Sequence, residues 1–439
     1  MDRRQPSRSA LPAALLAGAL LYTPAAGLAA APSPPETDST VLPSKEEIEW
    51  VVAPEVSYDS SLGPGLGVFA NIAKLDEGHA PYRFRISGQV FFNLRRSSDG
   101  RLDSPYQHHY ALLDVPGLAD GRLRLHLELR FRRQTTAGYY GLGNASVDES
   151  PEAEEFHQFA RTFPSLRVTT QGSLPNHLRV FAALGLGASW ITVYPDSQLA
   201  LDRDAQALVS ADGGAAASSL VGLEPHVLLD GSAGLLWDSR DDEFAPTRGV
   251  FADFSFRGGV GLPVVADSSG PPAETPFAYG GANLTVRTFS SLWGGGLTLA
   301  VRSRVDLLFG NPPLYALAAV GGLIEDRWAT GGGTSIRGVP LQRYRAKIKL
   351  QSNIELRARL GRFQLFGRPS RLSILGFVDL ARFFADWMPQ PALDGSGLGV
   401  KVGFGGGLRL RFGRTLIVRA DLGVSADGLG GYVDVGHIF

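Results

Sequence analysis

From Arg345 to Leu360 the chain alternates without a break for sixteen residues. Arg345, Lys347, Lys349, Gln351, Asn353, Glu355, Arg357 and Arg359 take one set of positions. Ala346, Ile348, Leu350, Ser352, Ile354, Leu356, Ala358 and Leu360 take the other. A period of two places the sets on opposite faces of an extended strand, whereas a helix needs 3.6. Strands in globular cores run about five or six residues. A tilted strand crossing a bilayer needs about ten, more if it continues beyond the membrane. In that setting the apolar face meets lipid and the charged face lines a wet interior. Arg122, Arg124, His126, Glu128, Arg130 and Arg132, interleaved with Leu123, Leu125, Leu127, Leu129 and Phe131, repeat the pattern. An arginine facing hydrocarbon at the bilayer midplane costs about 2–4 kcal/mol, so that row faces water.

Sixteen strand-like segments follow along the chain, at 51–58, 64–74, 82–95, 106–115, 121–133, 155–171, 177–194, 230–240, 247–261, 276–290, 294–308, 345–360, 371–385, 400–412, 415–425 and 431–439. Connection lengths test the count, because barrel strands alternate between short turns on one side and longer loops on the other. Long connections at 96–105, 134–154, 195–229, 262–275 and 309–344 fall on one side. Short ones at 116–120, 172–176, 241–246 and 291–293 fall on the other. The fold expected is all-β, a 16-stranded antiparallel transmembrane β-barrel. Trp190, Trp237, Trp293, Trp328 and Trp387 lie near strand ends, where interfacial girdles belong. The 54 glycines and the absence of cysteine agree with one large β unit and exclude a disulfide scaffold or a thiolate zinc site. A net charge of −1 gives no reason to expect nucleic acid.

Arg3, Arg4 and Arg8 precede an apolar stretch and then small residues at 28–31, the pattern of a secretory signal peptide over 1–31. Pro24 breaks the apolar run, which disfavours an anchoring helix. Residues 32–50 read as a disordered tether, with the Ser44/Glu47 capping-box spacing allowing one helical turn before Trp50. The barrel then occupies 51–439. An exported chain with many amphipathic strands and no second apolar helix is expected in the outer membrane of a Gram-negative-type envelope.

Gly331-Gly332-Gly333 closing on Ile336-Arg337-Gly338, then Asn353-Ile354-Glu355-Leu356-Arg357 and Gly376-Phe377-Val378-Asp379, resemble the BamA/TamA-type superfamily, the bacterial surface antigen barrels. Trp237-Asp238-Ser239-Arg240-Asp241 with Pro246-Thr247-Arg248-Gly249, Tyr139-Tyr140-Gly141-Leu142-Gly143-Asn144, and the closing Phe439 extend the resemblance over 51–439. It implies a long sixth outer loop folded inward, with Arg337 and Gly338 latched to Glu355 and Asp379. It also implies a role in inserting or translocating proteins or lipids. The sequence departs from the family at Ala381, where glycine is usual. Fewer than twenty residues separate the expected cleavage site from Trp50, which leaves no room for POTRA modules, and no G-x-S-x-G marks a hydrolase.

The physics of the residues allows the latch. Glu355 lies on the charged face of its strand and Asp379 on the opposite face from Ile374 and Val378. A guanidinium fork can reach two carboxylates. An ordinary lumen ion pair is the alternative, and a phosphate cradle lacks a following helix. A second candidate is the seam between the first and last strands, marked by Pro54, Gly431, Gly436 and Phe439. Pro54 cannot donate a ladder hydrogen bond; a proline merely edging a short strand explains it equally. Asp241-Asp242-Glu243 suits a solvated turn better than a divalent cation. His108-His109 and Tyr139-Tyr140 have no catalytic partner in sequence, so neither an enzyme nor a cofactor is expected. Expected partners are outer-membrane lipid and unfolded outer-membrane protein clients or a periplasmic accessory protein. The alternative function is a passive, anion-leaning pore or structural barrel plugged by its sixth loop.

Overall fold

The computed structural model describes residues 47–439, apart from 77–78, 97–99, 101, 120, 147–154, 212–219, 243–244, 265–275, 294–295, 327–328, 366–367, 413–415 and 436–438. The expected signal peptide, most of the tether, Trp328 and Gly436 lie outside the described residues. Sixteen antiparallel strands close into one barrel. They are β1 (Glu47–Asp59), β2 (Gly63–Asp76), β3 (His79–Asn93), β4 (Tyr106–Leu118), β5 (Leu123–Gly138) and β6 (Gln158–Ser173). Next come β7 (Leu178–Val193), β8 (His226–Asp238), β9 (Gly249–Pro263), β10 (Phe277–Leu292) and β11 (Leu297–Gly310). The last are β12 (Ile348–Leu365), β13 (Arg368–Phe384), β14 (Lys401–Phe412), β15 (Leu416–Ser425) and β16 (Gly428–Val435). Each pairs with its sequence neighbours, and β16 returns to β1. Every segment read from the sequence corresponds to one of these strands.

Several strand ends shift by a few residues from the sequence reading, and three departures from it have a visible cause. β1 begins at Glu47, in place of the tether's end and its helical turn, and 47–50 pair with 72–75 of β2. The period of two continues back through Ile48 and Trp50, which are as exposed as Val52, so extended backbone wins there. β12 begins at Ile348, three residues late. Ala346 N–H turns to the Leu317 carbonyl at 3.1 Å, and the Arg345 carbonyl accepts from Gly143 N–H at 2.8 Å. The connection at 195–229 contains a helix, α1 (Gln198–Ala211). Its Ser197 hydroxyl caps the Ala200 N–H at 3.2 Å, an N-terminal signal of the usual kind.

Outward-facing positions form an apolar belt. Leu129 on β5 is 61% exposed and Leu184 on β7 is 68% exposed. Trp190, Trp237, Trp293 and Trp387 are exposed at strand ends, the level of a membrane interface. No helix among the described residues is long and apolar enough to cross a membrane; crossing falls to the strands. Along β12 and β13 the interior departs from the wet channel expected, whereas inward Arg124 and Arg130 on β5 keep partial exposure. Inward-facing Lys349, Asn353, Glu355 and Asp379 are buried, because connections fill the space that water would occupy. Tyr139, Phe159, Leu199 and Leu314 pack together in one cluster. Ile336, Val339, Tyr344 and Phe383 form another.

The belt predicts a depth-dependent penalty. Leu184→Arg, at mid-strand, should lower unfolding free energy in lipid vesicles by roughly 2–4 kcal/mol, and Leu174→Arg, in the β6–β7 turn, by about 0–1 kcal/mol. Denaturant titration of both variants checks this. Equal losses at the two sites would contradict a lipid-facing belt.

Candidate functional site

Arg337 is fully buried on the β11–β12 connection. Its Nε donates to Asp379 Oδ2 at 2.8 Å and its Nη2 to Asp379 Oδ1 at 2.9 Å, a two-pronged pair. Its Nη1 donates to Glu355 Oε1 at 2.7 Å, and Asp421 Oδ2 lies 3.7 Å from the same nitrogen. The backbone N–H of Arg337 also donates to Asp379, at 3.0 Å. The guanidinium carbon sits 3.3 Å from the centroid of the Phe377 ring, a cation–π contact strengthened by the absence of water. Burial alone would push the Arg337 guanidinium down. The hydrogen bonds and charge of Asp379, joined by Glu355 and Asp421, outweigh it and hold the group above its usual value.

The strands position this cluster by alternation. Glu355 on β12 and Asp379 on β13 point inward, as do Phe377 and Ala381, while Ile374 and Val378 point out. Asn353 Nδ2 donates to Asp379 Oδ1 at 2.7 Å and to the Ser335 carbonyl at 2.6 Å, tying strand to loop. Arg357 Nε donates to Glu355 Oε2 at 2.8 Å. On β14 and β15, Arg409 holds Asp421 through contacts of 2.6 and 3.1 Å, and Arg419 Nη1 donates to the Gly333 carbonyl at 2.8 Å. Gly338 is required by its backbone. Its φ is +93°, and an added Cβ would lie 2.7 Å from the Val424 carbonyl carbon. Its N–H donates to the Tyr432 hydroxyl at 3.1 Å and its carbonyl accepts from Ser425 Oγ at 2.8 Å.

The same connection is anchored elsewhere. Asp306 on β11 accepts from Lys349 Nζ at 2.9 Å, from Arg257 at 2.8 Å and from Gly321 N–H at 2.8 Å. Arg304 pairs with Asp326 at 2.6 Å. Tyr139 donates to Asp202 Oδ2 at 2.6 Å, and Asn144 Nδ2 to the Gly399 carbonyl at 2.8 Å. The 139–144 motif thus packs within the mouth of the barrel.

The seam residues separate. Between β1 and β16 the ladder consists of Tyr58↔Val433 and Asp59↔Tyr432 among the described residues, beside thirteen pairs from β1 to β2. Ser60 N–H adds one bond to the Gly431 carbonyl at 3.2 Å, which keeps Gly431 at the seam. Pro54 is exposed opposite Val68 of β2, four residues from the nearest seam pair. Phe439 is not a seam residue. It is buried against Phe289 and Ala300, its ring under Arg302 and Arg357 at 5.0 and 5.2 Å. Arg357 Nη2 donates to its carbonyl oxygen at 3.3 Å. An aromatic ring and a carbonyl satisfy buried guanidinium groups there, which an outward lipid-facing position would not.

Sequence reading missed Asp421, Arg409, Arg419, Arg302 and Tyr432. One signal pointed to them. Gly403, Gly405 and Gly407 alternate along β14, and a Cβ on Gly403 would lie 2.3 Å from the Arg337 carbonyl oxygen. A row of missing side chains on an inward face marks where another segment lies against the wall. At the acidic run, Asp241 accepts from Thr247 and Arg248 N–H groups at 2.8 and 3.1 Å, and Asp242 pairs with Arg411 at 2.9 Å; Glu243 lies outside the described residues.

No family model matches the sequence, and no curated protein sequence matches it. Solved structures do. The crystal structure of BamA from Haemophilus ducreyi lacking POTRA domains 1–3 is similar with a TM-score of 0.51 at 13% identity, over 89% of this chain and 71% of that one. CdiB from Escherichia coli is similar with a TM-score of 0.50 at 14% identity, over 88% of this chain and 62% of that one. The chain therefore spans less than two thirds of the CdiB chain. What is shared at these identities is the fold.

Removing Asp379 leaves Nε and Nη2 of the buried Arg337 guanidinium without acceptor or water, while Glu355 keeps only Nη1. Asp379→Ala should cost about 3–5 kcal/mol of stability and expose the β11–β12 connection to protease. Denaturant unfolding and limited proteolysis in detergent measure both. A loss below about 1 kcal/mol, the value of a solvated pair, would reduce the cluster to an ordinary ion pair.

Proposed function

We propose that the chain is an outer-membrane barrel that aids insertion or translocation of proteins or lipids by parting β1 from β16. The observation that carries the reading is the ladder of two pairs at the closure among the described residues. A strand edge left unpaired in hydrocarbon costs several kcal/mol per group. β1 below Tyr58 offers such an edge to a client's strand, and its outward Ile48, Trp50, Val52 and Val56 keep it at the lipid boundary. Clients on this reading are unfolded outer-membrane proteins, with a periplasmic accessory protein delivering them. The likeness of fold to BamA and CdiB barrels supports the reading. A passive anion pore fits less well, because the inward charges Arg337, Glu355 and Asp379 pair with one another and are themselves closed to water.

Val56 and Val435 lie two residues further along the register that joins Tyr58 to Val433. A Val56→Cys/Val435→Cys pair, oxidised, should abolish assembly of a reporter outer-membrane protein in proteoliposomes, and reduction should restore it. Undiminished assembly by the oxidised barrel would reject opening at this seam while leaving the fold untouched.

A further inference from the structure

At the end of the barrel that carries the β8–β9 and β10–β11 turns, a recess of about 60 Å³ opens among inward-facing arginines. Arg357, Arg359, Arg371, Arg409 and Arg411 line it. We propose that this recess binds a phosphate group, either free phosphate or the phosphate of a lipid headgroup.

The charges are unevenly satisfied. At the base, Arg357 is held by Glu355 at 2.8 Å and Arg409 by Asp421 at 2.6 Å. At the rim, Arg411 is held by Asp242 at 2.9 Å. Arg359 and Arg371, half-buried on the adjacent strands β12 and β13 and cross-strand neighbours of Ser373 and Arg411 respectively, form no salt bridge among the described residues. Asp242 is the carboxylate near Arg371, and it is already committed to Arg411. Like charges on neighbouring strands repel, so the fold retains two guanidinium groups here against their electrostatic cost. An anion between them removes it.

Size and geometry select the anion. A single water occupies about 10–15 Å³ on this measure, so the recess has room for several waters or one tetrahedral oxyanion in their place. Planar guanidinium forks match phosphate oxygens two at a time. Thr298 and Ser373 also line the recess and supply hydroxyl donors. The site is separate from the β1–β16 seam, and its occupancy does not depend on whether that seam opens.

The full chain in detergent, titrated calorimetrically with inorganic phosphate at constant ionic strength, should show saturable binding that chloride does not reproduce. Arg359→Gln/Arg371→Gln should weaken it roughly tenfold or more, as expected for loss of charge-assisted hydrogen bonds. Arg359→Lys/Arg371→Lys, which keeps charge but loses the fork, should fall between. Exposed Arg203 on α1, outside the recess, provides the control, and Arg203→Gln should bind as the parent does. Circular dichroism confirms that each variant retains its β structure. In nanodiscs of phosphatidylcholine with phosphatidic acid, suppression of phosphate binding identifies a lipid headgroup as the source; unaltered binding identifies free phosphate. Undiminished affinity in the double glutamine variant, or saturable binding to neither phosphate nor phosphatidic acid, would overturn the proposal.

Discussion

A guanidinium with no access to water has to be answered by acceptors within the protein, and Arg337 is answered by carboxylates from three strands. Glu355 comes from β12, Asp379 from β13 and Asp421 from β15, with the Phe377 ring closing the remaining face. A buried ion cluster adds little net stability over an apolar one of the same shape. Its effect is on geometry. Arg337 is satisfied in one position of the β11–β12 connection, and any displacement strands a charge. That constraint accounts for the packed interior: once the loop is held there, Ile336, Val339 and Tyr344 follow it into contact with Phe383.

The outside of the barrel was legible because lipid imposes one rule on every strand. Leu127, Leu129, Ile354 and Leu356 alternate with charged residues whatever lies inside, so strands could be counted from period alone. The triad of Arg337, Glu355 and Asp379 came from resemblance, and alternation placed the two carboxylates on inward faces. Asp421 stayed hidden because Arg419-Ala420-Asp421-Leu422 is ordinary strand alternation. Its meeting with Arg337 depends on how distant strands close, which no local pattern encodes. Wetness was misread for a related reason. An inward charged face looks the same whether water or another segment of the chain supplies its partners.

Phe439 shows the limit from the other side. A final aromatic residue suggested a place at the closing seam, but Arg302 and Arg357 draw the ring inside. Arg357 stood on the charged face of its strand in the sequence and Arg302 was not singled out, and neither announces that its partner is an aromatic ring. Among the described residues the β16 ladder to β15 runs as far as Val435, opposite Val418.

The loop's anchors are unlike on the two sides of that closure. Toward β12–β16 they are polar and directional, from Asp379 and Glu355 through Arg419 to Tyr432 on β16 itself. Toward β1–β4 they are chiefly apolar, Leu341 packing with Leu62, Phe91 and Tyr106, with one long hydrogen bond from Leu341 N–H to Ser61 Oγ at 3.4 Å. Apolar contacts are non-directional and lose energy gradually as surfaces slide. Buried ion pairs lose it abruptly. If the wall parts, the loop therefore stays with β16 and the plane of least resistance runs between Leu341 and the β1–β4 wall, continuous with the two-pair ladder. On the proposed opening, the charged cluster and the seam would act as one mechanical arrangement, the cluster fixing which side carries the loop.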